Sequence, residues 1–165
     1  MAAIIGPAAR RRAQRDNLAL LLALGGSAIP AAGAALYSGV TPTAGDGLTL
    51  GAITSYDTIP VLMLVGALAI VVLGDEQRTG PASAPARAAA LVTAIGGLLL
   101  GLAYLRGAYV LRSGGAWSVD SDGQPVGWTL LRITNVASFI VTGVVCLTSA
   151  ALAGRWTIEQ KRSTS

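Results

Sequence analysis

The residue types that could do chemistry are few, and most of them lie on one stretch near the C-terminus. The chain has one cysteine, Cys146, and no histidine. An intramolecular disulfide is therefore excluded. Zinc sites built from Cys and His are absent, as is His-ligated haem. No Ser-His-Asp or Cys-His arrangement can form within the chain. The eight acidic residues are scattered, and no spacing among them recurs. Acyl or phosphoryl transfer at a lipid boundary calls for grouped carboxylates, His or Cys. The composition thus predicts a non-catalytic protein with no cofactor and no resident metal.

The ordered polar set is Arg132, Asn135, Ser138, Thr142, Cys146 and Ser149. On a helix these six share about a third of the circumference. Ile133, Ile140, Val144 and Leu147 occupy an apolar face apart from them. Such a helix turns one side to protein and the other to lipid. Its polar groups can hydrogen-bond neighbouring helices, each contributing on the order of 0.6 kcal/mol. The alternative is a polar path for a solute or a groove for a partner. Arg132 lies about one turn inside Trp128, where it can snorkel outward or pair with an acid.

Two other charged positions stand out. Asp57 precedes Thr58-Ile59-Pro60, a helix-start pattern with an acceptor at the cap and Pro in the first turn. If that helix began earlier, Asp57 would sit inside a membrane and become a functional candidate. Pro60 favours the cap, since proline is comfortable only near a helix start. Asp120-x-Asp122-Gly123 resembles part of a calcium loop, but Thr129 stands where a bidentate Glu is required. A solvated turn is the ordinary explanation.

The elements that carry these residues read as membrane spans. From Trp128 to Trp156 the chain is almost wholly apolar, with a Trp at each end. As a helix it covers about 42 Å, the thickness of a bilayer with its headgroups. Trp at both boundaries is the interfacial pattern. Three further apolar runs give approximate spans at 18–37, 58–74 and 88–107, with the fourth at 128–154. A basic tail over 1–17 and a short tail over 157–165 flank them. The first run could instead be a signal peptide cleaved near Ala32-Gly33-Ala34. Its apolar character continues to Leu36 and Tyr37, which favours an uncleaved helix kinked at Pro30. In the third span, Gly97 and Gly101 form a G-x-x-x-G pair suited to close helix packing, within the chain rather than between copies.

Composition agrees. The 165 residues are 53% hydrophobic and 12% charged, with mean hydropathy +0.62. A soluble domain has about 25% charged residues, so the deficit marks lipid-facing surface. The chain is rich in Ala and Gly, its basic residues are Arg except for Lys161, and that usage looks like a high-GC bacterium. Orientation follows from charge. Arg10, Arg11, Arg12, Arg15, Arg78, Arg87, Arg155, Lys161 and Arg162 fall on one side, and Arg106, Arg112 and Arg132 on the other. The richer side is cytoplasmic by the positive-inside rule. The net charge of +4 then points to anionic lipid and not to nucleic acid.

The expected fold is an all-α integral membrane bundle of four antiparallel spans with short loops. Both termini face the cytoplasm across the cell membrane. The expected role is a small accessory or scaffold subunit that binds membrane lipid and another membrane protein or itself. The alternative is a small oligomeric transporter or channel using the polar face of the fourth helix. Small multidrug-resistance transporters have four spans but rely on an embedded Glu in the first. Here that span has no acid beyond Asp16 at its edge.

Overall fold

The structure, a computed structural model, describes residues 6–40, 58–75, 81–113 and 130–162. Within them the chain is all-helical. Four helices follow in order: α1 (Pro7–Val40), α2 (Thr58–Asp75), α3 (Ala84–Ser113) and α4 (Leu130–Arg162). Their starts have local causes. Pro7 occupies the first helical position of α1, where a missing N–H removes nothing. The Gly6 carbonyl accepts the Arg10 N–H at 3.2 Å to close the first turn. Ser83 caps α3: its hydroxyl accepts the Ala86 N–H at 3.3 Å, and its carbonyl accepts the Arg87 N–H at 3.0 Å. Pro85 in that first turn needs no intrahelical donor of its own.

The helices run beyond the apolar boundaries. α1 begins at Pro7, so most of the basic segment expected as a tail is helical. α3 extends from Ala84 to Ser113, past the expected 88–107 on both sides. α4 continues to Arg162, through most of the expected C-terminal tail. Apolar runs mark the part of a helix that lipid can accept. Arg, Gln, Glu and Lys are good helix formers, so the helix itself continues past that limit. Pro30 lies inside α1, and the helix continues through it.

Two of the four helices are long and apolar enough on their own to cross a membrane. They are α3 over Ala84–Tyr109 and α4 over Val136–Arg162, each containing an 18-residue stretch of mean hydropathy 2.1. At about 1.5 Å per residue, either reaches roughly 40 Å. The apolar part of α2, Ile59–Asp75, is shorter.

The helices alternate in direction. Residues 15 and 16 of α1 meet Gly74 at the end of α2 and Ser83 at the start of α3, and Gln160 of α4 reaches Asp75. Packing is unequal. α3 lies against all three other helices, most extensively against α4; α2 also touches all three, while α1 and α4 sit at far corners and barely meet.

The interior is rich in alanine, with a few larger side chains, and many large apolar side chains lie on the exterior. One core cluster holds Ala19, Ala23, Ala67, Val71, Ala86, Ala89 and Ala90, closed by Trp156. The second holds Val61, Leu64, Leu100, Tyr104 and Cys146. Phe139 meets Tyr104 edge to face, with ring centroids 5.6 Å apart and planes at 76°. Such a pair contributes about 0.5–1.5 kcal/mol beyond its buried area. On the outside, Leu21, Leu62, Leu99 and Val141 are each more than 60% exposed, one on each helix. Large contiguous apolar patches are rare on soluble monomers.

Candidate functional site

The polar face of α4 is the place to begin. Cys146 is 2% exposed and Ser149 is 6% exposed. Thr142 is half-buried, and Ser138 is exposed. Arg132 and Asn135 lie on α4, but their side chains, like Asp57, fall outside the described residues, as do Asp120, Asp122 and Trp128. The face is therefore not uniform. Its middle is covered by α3, and Ser138 lies exposed toward one end of the face. Cys146 and Ser149 are packed within the bundle, whereas Ser138 is exposed.

Glycine makes the α3–α4 contact close. A Cβ at Gly97 would lie 2.9 Å from the Cys146 carbonyl oxygen and 3.3 Å from the Ala150 Cβ. A Cβ at Gly101 would lie 2.8 Å from Leu147 Cγ and 3.1 Å from the Gly143 carbonyl oxygen. On α4, a Cβ at Gly143 would lie 3.2 Å from the Gly101 carbonyl oxygen. All of these are tighter than ordinary packing, so the two backbones meet through glycine from both sides. The same device operates at α1. Gly26 faces the Pro60 carbonyl oxygen and Leu64, and a Cβ at Gly96 would collide with Ser27 Oγ.

A second polar group gathers where the helix ends come together, and the sequence alone does not reveal it. Asp16 is 2% exposed and its Oδ2 accepts the Ser83 hydroxyl at 2.6 Å. The Arg15 guanidinium lies 3.8 Å from Asp16 Oδ1 and donates to the Gly74 carbonyl at 3.2 Å. That carbonyl belongs to the last turn of α2, where a cation meets the negative end of the helix dipole. Gly74 has no side chain to obstruct the guanidinium: a Cβ there would lie 2.6 Å from Arg15 Nη2. Asp75 accepts the Gln160 side-chain amide at 2.9 Å. Trp156 packs over the alanines beside this group. Four helices are therefore tied together by side chains up to 85 positions apart in sequence. The available signal was Asp16 itself, an acid immediately before an apolar run.

A cleft of about 330 Å³ opens between α1 and α3. Gly26, Ser27, Pro30, Ile95, Gly96 and Leu99 contribute to its walls. Pro30 lacks the N–H that would have bonded the Gly26 carbonyl. Ser27 Oγ at the cleft and Thr93 Oγ1 nearby are buried with no hydrogen-bond partner among the described residues. Ile95 and Leu99 at its mouth point outward, 53% and 63% exposed. The cleft is therefore open toward the apolar exterior and lies away from the polar face of α4.

Among the described residues, no three of Cys, Asp and Glu group closely enough to hold a metal ion. The arrangement of these side chains binds helices to one another. Comparison with known proteins found no matching family, no similar curated protein and no similar solved structure.

Proposed function

We propose that this chain is a non-catalytic multi-pass membrane protein that acts as a small accessory or scaffold subunit. All four helices cross the cell membrane, and both termini lie at its cytoplasmic face. The observation that carries the reading is the inverted distribution of size. Alanine and glycine fill much of the α1–α3 and α3–α4 contacts, beside larger side chains such as Leu64, Val71 and Tyr104, while Leu, Ile and Val also face outward on every helix. Lipid gives no hydrophobic drive to bring helices together, so close contact between small residues supplies the association. The outward leucines are then solvated by acyl chains, and the α1–α3 cleft takes a lipid chain.

The polar residues support a subunit over an enzyme. Asp16, Arg15, Ser83, Asp75 and Gln160 engage one another or helix ends, and Cys146 and Ser149 are packed within the bundle. The exposed basic residues Arg10, Arg11, Arg87, Lys161 and Arg162 gather at the same end as this group. There they meet anionic headgroups, each with an attraction of about 1 kcal/mol. The transport reading requires the polar face of α4 to line a water path. Burial of Cys146 at its centre favours the subunit reading instead.

The experiment is purification of the tagged protein from native membranes in mild detergent, with mass spectrometry of what travels with it. The proposal expects a stoichiometric membrane protein. A pure, partnerless chain that moves a solute across vesicles would overturn it.

A further inference from the structure

We propose that the cleft between α1 and α3 is a binding site for a neutral lipid that carries a hydroxyl on an apolar skeleton, an inference that rests on the membrane reading above and deepens it. The cleft holds about 330 Å³, inside the range of about 300–1,000 Å³ common for small-molecule sites. Its walls carry no charged side chain, and the one polar side chain on them is Ser27. The Ser27 Oγ is buried and has no hydrogen-bond partner among the described residues. A serine or threonine inside a helix often turns back to a carbonyl one turn earlier. Thr157 does so, donating to the Ala153 carbonyl at 2.8 Å. Ser27 does not, and Gly96 on the facing helix makes room for its hydroxyl, since a Cβ there would collide with Ser27 Oγ. Pro30 has no N–H for the Gly26 carbonyl, so the residue beside Ser27 on the same wall offers an acceptor. A donor and an acceptor thus stand at neighbouring positions in an otherwise apolar cleft.

Depth narrows the ligand. At about 1.5 Å per residue, Ser27 stands roughly 16 Å along α1 from Asp16. The Asp16 group lies at the cytoplasmic headgroups on the reading above, and half of the hydrocarbon core is about 15 Å. Ser27 therefore sits near the bilayer midplane. The ester and phosphate oxygens of a phospholipid stay at the boundary. A plain acyl chain at this depth leaves the Ser27 hydroxyl unsatisfied, which is costly in an apolar medium. A charged group there is costlier still. A neutral hydroxyl meets both needs, accepting from Ser27 and donating to the Gly26 carbonyl. Ile95 and Leu99 at the mouth are 53% and 63% exposed, so the ligand enters sideways from lipid rather than from water. An isoprenoid alcohol and an acyl chain hydroxylated part-way along its length both carry this chemistry.

The test uses the full chain in lipid nanodiscs with tritiated farnesol as the probe. Binding should be saturable, and farnesane, the same skeleton without oxygen, should compete several-fold less well than unlabelled farnesol. A ricinoleoyl phospholipid that competes better than its oleoyl counterpart assigns the acyl source of the hydroxyl; equal competition by the two assigns the isoprenoid source. Ser27→Ala should weaken farnesol binding several-fold and leave the empty protein no less stable, because it removes a hydroxyl that has no partner. Thr93→Val removes another buried hydroxyl without a partner, off the cleft wall, and should bind farnesol as the native chain does. Ala103→Phe should fill the cleft and abolish the saturable component, with slow maleimide labelling of Cys146 reporting that the bundle is intact. Absence of saturable binding to the native chain, equal competition by farnesane, or unchanged affinity in Ser27→Ala would each overturn the inference. The subunit reading survives any of these results if the native chain still co-purifies with a stoichiometric membrane protein.

Discussion

Adding one methyl group at Gly97 should loosen the bundle, and the size of the effect follows from what that methyl meets. Alanine is a better helix former than glycine by about 0.8–1.0 kcal/mol, so the change is favourable where space is open. Gly154 is such a place, with nothing within 4 Å of its ideal Cβ. At Gly97 the obstacle at 2.9 Å is the backbone carbonyl of Cys146, with the Ala150 Cβ at 3.3 Å behind it. No rotamer change clears a backbone oxygen, so α4 must shift away from α3. Overpacking of this kind costs about 1–3 kcal/mol. The propensity gain is common to both sites and cancels in the comparison. Gly97→Ala should therefore be less stable than Gly154→Ala by about 1–3 kcal/mol, roughly a five- to 150-fold difference in the folding constant. Gly101→Ala should fall between them, because its nearest obstacle, Leu147, is a side chain that can move aside and the backbone carbonyl of Gly143 lies farther off, at 3.1 Å. The assay is reversible unfolding in mixed micelles of rising SDS fraction, followed by tryptophan fluorescence. Equal stability of Gly97→Ala and Gly154→Ala would refute the close contact between α3 and α4.

Other expectations follow from the same structure. Asp16→Ala removes a buried acceptor of the Ser83 hydroxyl and should destabilise the protein by about 1–3 kcal/mol in the same unfolding assay. Ser83→Ala loses both that bond and the α3 cap, at about 0.5–2 kcal/mol for the cap; a neutral result for both variants would remove the polar group from the account. Cys146 should react slowly with a water-soluble maleimide in the folded protein and quickly once unfolded, because thiolate attack needs access that burial denies. Rapid labelling of native protein that a solute blocks would restore the transport reading. For topology, Ser121→Cys should label with an impermeant thiol reagent in intact cells and Thr79→Cys only after lysis; the reverse pattern would invert the orientation. Asp57→Asn, as a change of helix cap, should cost at most about 1 kcal/mol; loss of partner binding in a stably inserted Asp57→Asn protein would give that carboxylate a role in the membrane.

Existence of the helices was legible because each contains an unbroken apolar run, which needs no knowledge of the partner helix. Their ends were less legible. The apolar pattern ends before the helices do: Arg10–Arg12 continue α1 and Glu159–Arg162 continue α4. Gly97 and Gly101 could be read as a packing pair from spacing alone, but Gly143 on the facing helix had no spacing signal of its own. Cys146 and Ser149 fell on the face that α3 covers. Ser138 fell at the edge of that face, and helical angle does not say how far the neighbour extends. Asp16 was the residue most underrated by sequence reasoning. Beside four arginines it looks like one more surface charge, and its partner Ser83 is 67 positions away. Buried polar groups whose partners are distant in sequence carry no periodicity, so only the packed helices disclose them.

The central claim, that all four helices face lipid outward around a small-residue interior, has one direct measurement. Spin labels are placed singly at Leu21, Leu62, Leu99 and Val141, one outward site on each helix, in protein reconstituted into vesicles. The account predicts high collision rates with oxygen and low rates with a water-soluble nickel complex at all four positions. Nickel accessibility at Leu21 or Leu62, with Leu99 and Val141 protected, would contradict it and leave only α3 and α4 in the membrane.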